Sequence, residues 1–157
     1  MEIISDGVRQ KDIGNPEVHL ELEAVKGIVK DNSFLKNAVG KAVKIVAPLP
    51  MFLDKTLQYR VIFMRRDIEE ILRSQEKMLN KDQSAEREKF SAIYNTHIQK
   101  TYQFFELNKI PFQDVYYKDL IADPEVELKK IIQFLNLECG WNDLAQVVNP
   151  ELYRNKI

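Results

Sequence analysis

The sequence predicts an α/β fold in which helices flank a parallel β-sheet. Short runs rich in β-branched and aromatic residues alternate along the chain with segments of helical periodicity. The strand candidates lie too far apart for hairpins, which favours parallel pairing. The chain has 157 residues, 45% of them hydrophobic, and a net charge of −1. A length of this order predicts a single domain over residues 1–157.

The first half of the chain contains two strand candidates and two helix candidates. A loop leads to a helix that begins at Pro16 and ends near Asn32. The β-branched run over residues 42–46 is stopped by prolines and predicts a strand. A more apolar run over residues 59–64 predicts a second strand, and Asp67 is placed to cap a helix that continues to Leu79 with a period of 3.6 residues.

The second half begins with a polar break at residues 80–84. A long helix is predicted over residues 85–107, because aromatic and aliphatic residues recur along one face. Residues 111–116 form the third strand candidate. Asp123 and Pro124 then mark a helix start, with Asp as the N-cap and Pro at the first helical position, and this helix continues to Leu137.

Composition excludes several classes of protein. One Cys and two His cannot form a disulfide framework or a structural zinc site. The balance of charges argues against nucleic-acid binding. No apolar run is long enough for a membrane span, and the first residues do not resemble a signal peptide, so we expect a cytoplasmic protein. The five glycines form no phosphate-binding loop pattern.

The most informative segment is Tyr59–Gln75, where a buried strand leads directly into a helix. The strand ends in two arginines, at the carboxyl edge where open α/β sheets bind ligands. Ser74 follows Arg66 by eight residues, about two helical turns, so an arginine fork and a hydroxyl could converge on one phosphate. The plainer interpretation is a surface ion pair of Arg66 with Asp67 or Glu69.

Two segments resemble the sulfotransferases that use 3′-phosphoadenosine 5′-phosphosulfate (PAPS). YRVIFMRRDIEEILRS, residues 59–74, is similar without a gap to their 3′-phosphate-binding strand and helix. VYYKDLIADPEVELKKIIQFLNL, residues 115–137, is similar to a later strand–helix block. The closer likeness is to bacterial members of the family, which the chain resembles in DGVR at 6–9, Asn15-Pro16, GKAVK at 40–44 and the ending over residues 147–154. The likeness covers essentially the whole chain.

This resemblance implies a P-loop-type fold, a cofactor and three cofactor-binding residues. Arg66 and Ser74 would bind the 3′-phosphate of PAPS, the sulfuryl donor, without a metal. Tyr117 would pack near the adenine, or alternatively lie buried against the following helix. The partners would be this nucleotide and an unknown small-molecule or protein acceptor with a hydroxyl or amine group. A homodimer is left open.

The chain also departs from the family pattern. The first strand and its PRSGT-type phosphate loop are missing, and that strand would lie between the strands at 59–64 and 111–116. Pro48 stands where better-known members have a catalytic His, so the catalytic residue is unknown. We therefore expect a sulfotransferase-like domain that is inactive as this chain; the alternative is a non-catalytic binding or interaction module. A gene-start error, a gene remnant and a true truncation all fit.

Overall fold

A computed structural model describes residues 2–6 and 20–153 of the chain. They fall into two compact units. The first comprises residues 1–58 and 95–108, and the second comprises residues 59–94 and 109–157. Each unit is described below by itself. The single domain over residues 1–157 stays a prediction.

The second unit has the predicted α/β arrangement of a parallel sheet with flanking helices. Its strands are β1 (Val61–Arg65) and β2 (Phe112–Tyr116). The helices are α1 (Ile68–Leu79), the beginning of α2 (Arg87–Leu107), α3 (Tyr117–Ala122), α4 (Pro124–Leu135) and α5 (Trp141–Ala145). The predicted α/β class, both of these strands and the three longer helices are confirmed, whereas the short α3 and α5 were missed.

The two strands are parallel and pair directly with each other. Val61 lies opposite Phe112, and Arg65 lies opposite Tyr116. The resemblance places the family's first strand, which this sequence lacks, between them; among the described residues β1 and β2 pair without it. Backbone N–H and C=O groups of a strand need partners, and here β1 and β2 supply them to each other. Their carboxyl ends therefore meet at one edge.

The helix boundaries follow the capping signals in the sequence. The Asp67 carboxylate accepts a hydrogen bond from the backbone N–H of Glu69, and the Asp123 carboxylate accepts one from Val126. Asn80 and Asn136 end α1 and α4 in the left-handed conformation, which Asn tolerates better than most residues. A short 3₁₀ turn over Ser84–Glu86 precedes α2, so this helix begins two residues after its predicted start.

The first unit departs from the predicted secondary structure at its first helix. Within residues 20–32 there is only a 3₁₀ turn, Glu23–Gly27, and a second one follows at Ser33–Ala38. The predicted α-helix from Pro16 to Asn32 is therefore wrong over the described part, and residues 16–19 lie outside it. Gly27 and the nearby β-branched residues reduce helix propensity, and most backbone bonds in this segment reach back three residues rather than four.

The predicted strand over residues 42–46 is also wrong. Ala42 forms an isolated parallel bridge with Ile3, and residues 43–46 have no strand assignment. β-branched residues favour a strand only where a neighbouring strand completes the hydrogen-bond ladder. Among the described residues, that partner is limited to the segment around Ile3.

The buried residues divide between the two units. The largest fully buried side chain of the first unit is Phe105, from α2, accompanied by Ile28 and Thr101. In the second unit, Leu72 of α1 and Val115 of β2 are the fully buried apolar residues. None of the described helices is both long and apolar enough to cross a membrane.

Candidate functional site

The candidate site lies where β1 and β2 end, within the second unit. Arg66 directly follows β1, and Tyr117 directly follows β2 as the first residue of α3. Because the strands are parallel and paired at Arg65 and Tyr116, the two following residues leave the sheet at the same edge. The guanidinium carbon of Arg66 lies 5.5 Å from the centre of the Tyr117 ring. Two of the three predicted site residues are thus brought together.

The ring of Tyr153 also packs against the guanidinium of Arg66. Its ring centre is 5.7 Å from the guanidinium carbon of Arg66. The rings of Tyr117 and Tyr153 meet edge to face, with their centres 5.3 Å apart and their planes at 86°. Each ring offers a cation–π contact that is worth about 0.5–1 kcal/mol at a partly exposed site. The guanidinium therefore packs against two aromatic rings at once.

Glu70 completes this group. Its side chain is only 5% exposed, and its Oε2 accepts a hydrogen bond of 3.0 Å from Nε of Arg66. Its Oε1 accepts a hydrogen bond from the hydroxyl of Tyr153. We refer to Arg66, Glu70, Tyr117 and Tyr153 as the arginine–tyrosine cluster.

The hydrogen bond to Glu70 perturbs the ionisation of Tyr153. It raises the pKa of the Tyr153 hydroxyl, because ionisation would remove the donated proton; burial and the negative charge of Glu70 act in the same direction. Tyr153 is therefore held as a neutral donor over the ordinary pH range.

The arrangement leaves one polar atom of Arg66 without a hydrogen bond. Nη2 is buried and has no hydrogen-bond partner among the described residues. A buried donor without a partner costs about 1–3 kcal/mol, and such atoms in native proteins call for an explanation such as an absent ligand. The Arg66 side chain is 27% exposed as a whole, and Nη2 belongs to its buried part. The cluster thus offers a cationic donor beside two aromatic rings, a combination that suits an anionic group attached to a flat ring.

Ser74, the third predicted site residue, lies further along α1. It is half-buried and follows Glu70 by one helical turn. Residues four apart share a face of a helix, so Ser74 lies on the same face of α1 as Glu70. The convergence of Arg66 and Ser74 on one phosphate stays a prediction.

The ion pair of Arg66 is not the one weighed from the sequence. Asp67 caps α1, and the Glu69 carboxylate lies 3.8 Å from Arg87. Arg66 pairs instead with Glu70, whose carboxylate is buried rather than on the surface. The spacing of four residues between Arg66 and Glu70 was the available signal for this pair. Tyr153 had no local signal, since 83 residues separate it from Glu70.

Pro48, at the position where the resemblance places a catalytic His, lies in the first unit. It directly precedes a 3₁₀ turn, Leu49–Phe52, and has no titratable group. The described residues contain no group of three or more His, Cys, Asp or Glu side chains that could hold a metal ion.

Comparison with known proteins identifies the family. The family model described as "Sulfotransferase family" matches residues 58–143, which is more than half of the chain. The chain therefore belongs to the sulfotransferase family. The matched region contains Arg66, Ser74 and Tyr117, whereas Tyr153 lies beyond it. No curated protein and no solved structure matches the chain.

Proposed function

We propose that this sulfotransferase-family chain binds the 3′-phosphate of PAPS at the arginine–tyrosine cluster. The observation that supports the proposal best is the buried Nη2 of Arg66, which lacks a hydrogen-bond partner among the described residues. A phosphate oxygen would supply that partner through a charge-assisted hydrogen bond. The site also lies at the carboxyl end of two parallel strands, where α/β proteins bind nucleotides.

The remaining residues of the site have distinct roles in the proposal. The ring of Tyr117 is half-buried beside Arg66 and offers a surface on which the adenine could stack. Ser74 would donate its hydroxyl to the phosphate from the next turn of α1. Glu70 opposes the binding of an anion, because its negative charge is already paired with the same guanidinium.

The reaction class follows the family, and its details are part of the proposal. PAPS would donate its sulfuryl group to a hydroxyl or amine of a small-molecule or protein acceptor. We expect the 157-residue chain itself to be inactive, because Pro48 occupies the position at which the family resemblance places a catalytic His and cannot accept a proton. A turnover assay with PAPS and a panel of acceptors tests this point, and steady release of the desulfated nucleotide would contradict it.

The binding proposal is tested by calorimetry with two nucleotides. Adenosine 3′,5′-diphosphate carries the 3′-phosphate, and AMP lacks it. A charge-assisted hydrogen bond contributes about 1.5–3 kcal/mol, so the diphosphate should bind about 10- to 100-fold more tightly. Equal affinity for the two nucleotides would overturn the assignment of the site.

Two matched arginine variants make the test specific. Arg66→Lys keeps a positive charge beside Glu70 but removes the planar fork, so the preference for the 3′-phosphate should largely disappear. Arg65→Lys makes the same change at the neighbouring residue, whose guanidinium packs against Phe63 and Tyr116 instead. This control should keep the preference. Loss of the preference in both variants would indicate a general effect of charge rather than a site at Arg66.

A further inference from the structure

The hydrogen bonds of the cluster are arranged in an unusual way. Nε and Nη2 form one edge of a guanidinium, and a carboxylate commonly receives both in a bidentate pair. Here Oε2 of Glu70 accepts from Nε of Arg66, but Oε1 accepts from the Tyr153 hydroxyl. Nη2 is left buried and without a partner among the described residues. The second hydrogen bond of the bidentate pair, from Nη2 to Oε1, is therefore absent, and Oε1 accepts from Tyr153 instead.

We infer that Tyr153 is a positioning residue that keeps Nη2 of Arg66 from pairing with Glu70, so that this donor is left for the anionic group of a ligand. By holding Oε1 of Glu70, its hydroxyl prevents the carboxylate from closing onto both donors of Arg66. Its ring packs against the same guanidinium at 5.7 Å and limits where the group can move. The inference rests on the proposed binding of a phosphate at this site and adds a residue outside the matched family region.

Local structure supports a fixed orientation of Tyr153. It directly follows a 3₁₀ turn, Pro150–Leu152, and its backbone N–H donates to the carbonyl of Pro150 at 3.1 Å. The side chain of Asn149 caps this turn by accepting from the N–H of Glu151 at 3.0 Å. The edge-to-face contact with Tyr117 holds the ring from the other direction. A side chain constrained in this way loses little entropy when it holds the carboxylate.

The same arrangement makes Glu70 the residue that sets the affinity for the anion. With Tyr153 in place, an incoming phosphate can bond to Nη2 of Arg66, because the Glu70 carboxylate is hydrogen-bonded to the Tyr153 hydroxyl. Without the Tyr153 hydroxyl, the phosphate must displace Oε1 of Glu70 from Nη2. The effect of Tyr153 on ligand binding should therefore depend on the charge of Glu70.

A cycle of variants tests this dependence with adenosine 3′,5′-diphosphate as the probe. Tyr153→Phe keeps the ring and removes the hydroxyl, and we expect it to weaken binding about tenfold, the equivalent of one charge-assisted hydrogen bond. In the Glu70→Gln background the same change should have little effect, because the neutral amide, with a single acceptor oxygen, competes far less than a carboxylate with the phosphate for the donors of Arg66. Tyr116→Phe, the same substitution at an exposed residue whose ring lies over Arg65, is the matched control.

A second measurement needs no ligand and uses only Tyr153→Phe. NMR follows the hydrogen exchange of the guanidinium N–H groups of Arg66. If the carboxylate closes onto Nη2 in this variant, exchange at that nitrogen should slow several-fold relative to the unmodified protein. Unchanged exchange would overturn the inference, even if Glu70→Gln does not fold.

The outcomes separate this inference from the proposed function. A tenfold loss that disappears in the Glu70→Gln background, together with slower exchange, supports the positioning role. An unchanged affinity, or the same loss in both backgrounds, contradicts it. If the unmodified protein binds the diphosphate and AMP equally well, the proposed function fails; the exchange measurement then decides alone whether Tyr153 keeps Nη2 open.

Discussion

Replacing Glu70 by Ala should destabilise the protein more than the same change at any other charged residue of α1. The Glu70 side chain is 5% exposed and accepts hydrogen bonds from Arg66 and Tyr153. The Arg66 side chain is only 27% exposed, and the substitution removes the counter-charge of its guanidinium. Two hydrogen bonds that involve a charged group are lost at the same time. The cause of the destabilisation is therefore a stranded charge rather than a cavity.

The magnitude can be worked from these contacts. Removing one partner of a buried ion pair costs about 3–5 kcal/mol, and Arg66 can regain part of its hydration, so the lower value of about 3 kcal/mol applies. For a protein of this size each kcal/mol lowers the melting temperature by about 2–4 °C. We therefore expect Glu70→Ala to lower it by about 6–12 °C.

The measurement is thermal and urea-induced unfolding followed by far-ultraviolet circular dichroism. The matched control is Glu69→Ala, the neighbouring residue on α1, whose side chain is 42% exposed and lies 3.8 Å from Arg87. Exposed pairs of this kind contribute about 0–1 kcal/mol, so the control should change the stability little. For Glu70→Ala, the urea concentration at the midpoint of unfolding should fall while the slope of the transition stays the same.

A double variant identifies the cause. Arg66→Leu combined with Glu70→Leu removes both charges and keeps apolar volume, and such replacements of buried pairs are often neutral. It should recover much of the stability that Glu70→Ala loses. The reasoning is refuted if Glu70→Ala and Glu69→Ala lower the melting temperature equally, or if the double variant is less stable than Glu70→Ala.

Three further predictions concern helix capping, ionisation and the core. Asp123→Ala removes the cap that accepts from Val126 and should lower the unfolding free energy by about 1 kcal/mol in urea denaturation. Because the pKa of Tyr153 is raised by its bond to Glu70, the unfolded chain ionises first above pH about 10, so stability should fall there with rising pH. Tyr153→Phe should remove the part of this dependence that comes from Tyr153, as measured by comparing the unfolding of the two proteins at a series of pH values. Phe105→Ala leaves a cavity at a fully buried position and should lower the free energy of unfolding by about 3–5 kcal/mol in urea denaturation. A decrease of less than about 1 kcal/mol would contradict its role in the core.

Local signals were sufficient for the elements that surround the site. Asp67 and Asp123 begin α1 and α4 because a side-chain oxygen two or three residues from a free backbone N–H can cap it without help from the rest of the fold. The runs that became β1 and β2 are apolar and bounded by charge or by proline, which predicts strands that are covered by other elements. For the same reason the sequence placed Arg66 at the end of a strand, and the structure has it there.

Local signals failed where an element depended on a distant partner. The segment at 42–46 has the composition of a strand, but apart from the bridge at Ala42 it pairs with no other described residue. The segment before Asn32 has helical spacing, but its described part, residues 20–32, contains only a 3₁₀ turn, Glu23–Gly27. Propensity alone could not decide either case, because pairing and packing contribute more free energy than the preference of each residue.

The sequence by itself determined the family resemblance, the α/β class and the placement of Arg66 and Tyr117 directly after two strands. Only the tertiary structure decided what surrounds Arg66. The parallel register of β1 and β2 brings Tyr117 to the arginine, and Tyr153 arrives from a segment 83 residues beyond Glu70. Contacts across such distances depend on how the chain packs, which no short pattern encodes. The surroundings of Arg66 depend on these contacts, since the carboxylate that pairs with it also accepts a hydrogen bond from the remote Tyr153 hydroxyl.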